Sequence, residues 1–174
     1  MLFAPDHTPE LELIKQVLKA ERQIEFAIFT FAGSSGIDDA LLMAAAADRK
    51  VTGALDPGQA GQKWAAPRGT PGAAPSWLNR ANISLYTPKR RGGFRKLHHK
   101  LMVIDRAIVI AGSFNYTAPA NEYNDENLFV IGSPYDQLPP KEGGPVDKQA
   151  CTKIADYMRK EIDRIVSVSE PWRP

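Results

Sequence analysis

A single cysteine, Cys151, stands in 174 residues, which excludes an intramolecular disulfide framework and any zinc site built on paired cysteines. Long apolar runs are equally scarce. Stretches such as Leu41 to Ala47 and Ile108 to Ala111 fall far short of the roughly 18 to 20 residues that a membrane-spanning helix needs. The opening Met1-Leu2-Phe3-Ala4-Pro5-Asp6 has no basic n-region and no apolar h-region, so no secretory leader is expected there. The compartment stays open between cytoplasm and a periplasm reached by a removed signal. With 43% hydrophobic against 24% charged residues, the chain is expected to be soluble and to bury a core, which argues against disorder.

Negative charge is missing too, but only locally. No carboxylate lies between Asp56 and Asp105, a window that holds Lys63, Arg68, Arg80, Lys89, Arg90, Arg91, Arg95, Lys96 and Lys100. That window carries +9 and the remaining residues −7, within a net charge of only +2. Such asymmetry draws polyanions or anionic surfaces, with an on-rate that falls with salt. From charge alone, a solvated basic face that keeps the protein soluble reads equally well.

Periodicity supplies an α/β order. Residues 8 to 22 read as an amphipathic helix with Thr8 as N-cap, Pro9 at the first helical position, and Leu11, Ile14, Val17 and Leu18 on one face. Gln23 to Phe31 is too apolar for a one-sided strand and reads as a buried central one. A helix over Ile37 to Asp48, opened by Asp38 and Asp39, and a strand over Lys50 to Leu55 complete a βαβ unit. Further strands are predicted at Ile83 to Tyr86, Leu97 to Ile104, Ala107 to Ala111 and Glu126 to Ile131, with a tight turn at Asp105-Arg106 and a basic turn at Pro88 to Gly93. A closing amphipathic helix runs from Val146 to about Val168. Two Pro/Gly-rich loops, about 56–77 and 132–145, interrupt an otherwise single domain over 1–174, a mixed central sheet flanked by helices.

The chemistry concentrates in Leu97-His98-His99-Lys100-Leu101-Met102-Val103-Ile104-Asp105. On a strand, His98 and Lys100 share a face and His99 takes the other. An imidazole beside a fixed ammonium suits a phosphate, because the ring does covalent or proton-transfer work while the ammonium neutralises oxygens. Seven residues after Asp105 comes Gly112-Ser113-Phe114-Asn115, where Ser113 and Asn115 share a side and can both hydrogen-bond phosphate oxygens. Glu126, eleven residues beyond Asn115, supplies a carboxylate of the kind that fixes an imidazole tautomer. A metal cluster is the other chemical reading of these side chains, but adjacent strand histidines diverge and nearby carboxylates fall in the wrong register.

This frame, HxKxxxxD, six residues, GSxN and a later Glu, resembles the signature of the phospholipase D superfamily. The early strand Phe3-Ala4-Pro5-Asp6, the Ala27-Ile28-Phe29-Thr30-Phe31 strand, the βαβ unit and the last helix make the whole chain similar to the short, single-motif bacterial endonucleases of that superfamily. The stretch from Asp56 to Trp77 is the main departure. The resemblance implies a phospholipase D-like α-β-α sandwich and a homodimer whose shared site works without a metal or other cofactor. In it His98 is the nucleophile and, from the second chain, the acid; Lys100 and Asn115 bind phosphoryl oxygens; Ser113 orders the site; Glu126 orients His98. Asp105 and Gly112 then belong to the motif as structural residues. Lys89, Arg90, Arg91, Arg95 and Lys96 lead into the catalytic segment and are expected to line the approach of nucleic acid, DNA or RNA.

The same catalytic residues serve a phospholipase or phosphatidyl transferase acting on anionic membrane lipid, with Trp64 and Trp77 as an apolar mouth. Those tryptophans could equally stack on bases or anchor their loop to the core. A third class is a nucleic-acid-binding module with an incomplete site. The chain, beginning near the first expected strand, also fits one half of a longer two-motif enzyme.

Overall fold

The structure is a computed structural model that describes residues 1–60, 83–89, 94–132 and 147–173. Trp64, Trp77, Arg90, Arg91 and most of both Pro/Gly-rich loops lie outside the described residues.

Eight strands form one sheet: β1 (Leu2–Ala4), β2 (Gln23–Ile28), β3 (Lys50–Leu55), β4 (Ile83–Pro88), β5 (Lys100–Ile104), β6 (Ile108–Gly112), β7 (Glu126–Ile131) and β8 (Ser169–Pro171). Their spatial order is β1-β7-β6-β5-β2-β3-β4-β8. The pairs β2/β3 and β3/β4 are parallel and the other five antiparallel, so the sheet is mixed, as expected. Four helices accompany it among the described residues: α1 (Pro9–Leu18), α2 (Ile37–Ala46), α3 (Ala118–Glu122) and α4 (Lys148–Ser167). None is long and apolar enough to cross a membrane.

Strand alternation divides the core in two. Ile24, Phe26 and Ile28 of β2 point into one cluster with Leu13 and Val17 of α1 and Leu41 of α2. Ala27, on the opposite face, joins Leu101, Val103 and Val109 beneath Ala155, Ile162 and Ile165 of α4. The β2 strand is therefore covered on both faces, which is why its sequence is apolar rather than alternating.

Several boundaries differ from the sequence reading: β2 ends at Ile28 rather than Phe31, α2 ends at Ala46 rather than Asp48, and α4 starts at Lys148 rather than Val146. Helix α1 stops at Leu18 because the backbone N–H groups of Glu21, Arg22 and Gln23 bond the Asp105 carboxylate at 2.7, 2.9 and 2.8 Å. Thr8 precedes α1 in left-handed geometry (φ 43°) and its side chain makes no capping bond, so its expected N-cap bond is absent. Strand β5 begins only at Lys100, which leaves His98 and His99 just ahead of the ladder. The turn at Asp105-Arg106 has positive φ at both residues (53° and 58°), the geometry of a two-residue hairpin turn. Asp105 joins that turn to the start of β2.

Candidate active site

Topology gathers the functional residues at one end of the sheet. The parallel strands β2, β3 and β4 run toward it, their last residues leading to Phe29, Asp56 and Lys89. Because β5 is antiparallel to β2, it starts there with Lys100; β6 ends there with Gly112 and β7 starts there with Glu126. Carboxyl ends of strands in open α/β sheets are where ligands bind. A pocket of about 420 Å³ occupies this end and is lined by His98, Lys100, Gly112, Ser113, Asn115 and Glu126. The structure therefore brings together six residues the sequence singled out.

His98 is held by its neighbours. Leu97 N–H donates to Asp56 Oδ2 at 2.9 Å, and Phe29 N–H donates to the His99 carbonyl at 2.8 Å. The imidazole lies against the Phe29 ring, centroids 4.6 Å apart, and its Nε2 is 3.3 Å from Lys100 Nζ. The ammonium also donates to the His98 carbonyl at 3.2 Å. Since an ammonium can only donate, this contact suits a neutral ring with Nε2 unprotonated. Partial burial, then the positive charges of Lys100 and Lys96, hold the His98 pKa below the ordinary imidazole value, while Asp56 pulls it upward. Burial also lowers the Lys100 pKa, opposed by Glu126 and assisted by Lys96.

The other wall follows from alternation. Phe114 and Tyr116 are fully buried in the core, so Ser113 and Asn115 turn to the pocket. Ser113 Oγ accepts the Asn127 N–H at 3.0 Å, which leaves its own proton to donate. Gly112 is required here, because a Cβ would sit 2.1 Å from the Asn127 carbonyl oxygen. Asn115 Oδ1 is buried and, among the described residues, unpaired. Glu126 accepts Asn124 Nδ2 at 3.3 Å; its charge is felt by Lys100, so the carboxylate expected to orient His98 faces the ammonium here.

His99 points away as expected, its Nε2 3.1 Å from Glu161 Oε1 of α4. Among the described residues no group of three or more His, Cys, Asp or Glu could hold a metal ion. Of the expected basic residues, Lys96 reaches the site, its Nζ 4.3 Å from the Phe29 ring centroid; Arg95 is exposed beside it. Lys89 lies at the same end of the sheet but three strands from β5. Asp56 and Phe29 were not expected at the site. The only local signal was Asp56-Pro57-Gly58, a turn dipeptide context, and Phe29 read as one more core aromatic.

Residues 13–164 match the family described as "Cardiolipin synthase, PLD-like domain". A mitochondrial cardiolipin hydrolase from Xenopus laevis is 30% identical over 118 residues, 68% of this chain and 50% of that protein. The chain spans at most about half the length of the curated relatives it matches. Among solved structures, the phospholipase D family member Nuc from Salmonella typhimurium superposes with a TM-score of 0.73 at 20% identity, covering 99% of this chain and 95% of that one. NucT from Helicobacter pylori gives 0.68 at 18% identity, covering 98% and 96%. The family match runs through both halves of the HxK and GSxN frame, whose side chains meet in one pocket on a fold shared end to end with Nuc, and the chain belongs to the phospholipase D superfamily.

Proposed function

We propose that this phosphodiesterase-superfamily chain is a metal-independent endonuclease of low sequence specificity, hydrolysing DNA or RNA through a phosphohistidine at a site shared by two copies. The observation that carries it is the pocket itself: one imidazole whose unprotonated Nε2 lies 3.3 Å from the Lys100 ammonium, and two amide or hydroxyl donors, around a space of about 420 Å³. His98 Nε2 attacks phosphorus and the P–O bond to the leaving group breaks. The leaving oxygen needs a proton, and a neutral nucleophilic His98 cannot also supply it. His98 of a second copy, protonated, gives that proton and then takes one from the water that cleaves the P–N bond.

Lys100 and Asn115 stabilise the charge on the nonbridging oxygens, and Ser113 orders their wall. Glu126 lies across the pocket and supports the charge of the Lys100 ammonium. Lys96 and Arg95 at the mouth, with Lys89 at the same end of the sheet, favour a polyanion held by its phosphates. The fold shared with Nuc and NucT supports this reading. The Xenopus relative's name supports a second reading, anionic phospholipid as substrate.

The test incubates wild type and His98→Ala in EDTA with single- and double-stranded DNA, RNA and cardiolipin vesicles, with mass measured by light scattering. Cleavage of nucleic acid by a wild-type dimer, lost in the variant, is expected. Turnover of cardiolipin alone would install the second reading. A monomer that binds DNA and turns over nothing would make the chain a binding module or half of a two-motif enzyme.

A further inference from the structure

Among the described residues, Asp56 is the carboxylate whose charge is felt by His98, yet it lies 42 residues earlier in the chain, outside the HxK and GSxN frame. Only 5% exposed, it uses both oxygens: Oδ1 accepts the N–H groups of Gly58 and Gln59 at 2.9 and 3.1 Å, and Oδ2 accepts that of Leu97 at 2.9 Å. Its own N–H donates to the Ile28 carbonyl at 3.3 Å, tying it to the end of β2 next to Phe29. Three chain segments thus converge on Asp56, and the peptide its buried carboxylate grips is the one leading into His98.

A turn-forming Asp needs only the Gly58 and Gln59 contacts. Burying a carboxylate to reach a third donor in a distant segment is costly unless the charge is used. Around His98 the charged and titratable groups are Lys96, His99 and Lys100 on its own segment, Asp56 from the end of β3, Glu126 across the pocket, and Glu161 of α4 behind His99. Two ammonium groups therefore oppose the cationic ring, and Asp56 opposes them.

We infer that Asp56 is a positioning residue for His98: it fixes the peptide that carries the ring and supplies the negative charge that offsets Lys96 and Lys100 whenever the imidazole is cationic. Its effect on rate rests on the phosphodiesterase reading; its effect on the ring does not.

The experiment follows the His98 ring carbons by NMR across pH in the full chain, for wild type, Asp56→Asn and Asp56→Glu. The His98 midpoint is expected at lower pH in Asp56→Asn and back toward wild type in Asp56→Glu. In parallel, kcat of Asp56→Asn is expected to fall roughly 10- to 100-fold with KM within about twofold, the signature of a misplaced reacting group. A folded Asp56→Asn protein with an unchanged His98 midpoint overturns the inference. Should that variant not fold, Asp56→Glu decides: a displaced carboxylate is expected to move the Leu97 amide and His98 ring signals together, and a Leu97 amide that moves while the His98 ring signals stay put overturns it. A chain inactive on every phosphodiester would sink the proposed function while leaving these spectra able to uphold or reject the role of Asp56.

Discussion

Strand β5 joins two ends of the sheet that treat the same motif in opposite ways. At one end Asp105 is fully satisfied by three backbone N–H groups, and the adjacent Arg106 makes a bidentate pair with Asp156 at 2.8 and 3.0 Å. At the other, the Lys96 and Lys100 ammonium groups crowd the His98 ring and Asn115 keeps an oxygen unpaired among the described residues. Seven residues of extended chain, roughly 20 Å at about 3.3 Å each, separate the histidine from the aspartate. One continuous sequence signature therefore specifies two regions, one built for stability and one left electrostatically incomplete for a substrate to finish.

The largest expected effect sharpens that division. His98→Ala should abolish turnover and covalent phosphoenzyme, a loss of about 10⁴-fold or more for a nucleophile, while thermal unfolding stays close to wild type because the ring is exposed. Single-turnover assays with acid-quenched labelling check it. Asp105→Ala should do the reverse. Losing a carboxylate that holds three N–H groups should cost about 2 to 4 kcal/mol in urea unfolding, with kcat per folded molecule nearly intact. If Asp105→Ala instead lowers kcat a hundredfold at unchanged stability, the two ends are not separable and the comparison breaks.

A third prediction concerns pH. On the proposed mechanism a nucleophilic His98 must be neutral, so activity should be lost as pH falls through the His98 pKa, and that limb should lie below the ordinary imidazole value of 6.5. Replacing Lys96 by Gln removes one cation that favours the neutral ring. The acid limb of kcat/KM should then move to higher pH, and a limb that stays put or moves down would show that Lys96 does not act on the ring.

How much of this was legible depends on how local each cause is. Strands β3 and β7 fall at their expected bounds because their periodicity and flanking turns lie within the segment. Strand β8 was not foreseen: three residues carry no periodicity, and it exists through pairing with β4. The early end of α1 and the late start of β5 were misjudged because distant groups decide them, Asp105 for the helix and the Leu97 and His99 tethers for the strand. The same holds at the site. His98, Lys100, Ser113, Asn115 and Glu126 are readable from spacing, whereas Asp56 and Phe29 enter only when parallel strands finish at one level.

The smallest predicted effect tests whether electrostatic incompleteness at the site end extends behind the pocket. Helices α1 and α2 and the short α3 all begin at that end, and the first turns of α1 and α2 and the last residue of α3 bring Glu10 near Asp38 and Glu122. Burial first, then those two carboxylates, raises the Glu10 pKa from 4.5 to about 7. A carboxyl with a raised folded pKa holds its proton longer in the folded than in the unfolded chain. Stability from this group is therefore complete below about pH 4.5 and is lost as pH climbs to about 7. Because Glu10 is partly exposed, solvent screening keeps the effect small. Glu10→Gln should be slightly more stable than wild type at pH 8, equal to it at pH 4, and flatter in between, as followed by urea unfolding across that range. A wild-type slope that the substitution leaves unchanged would confine the strained electrostatics to the pocket and leave the helix starts as settled as the Asp105 end.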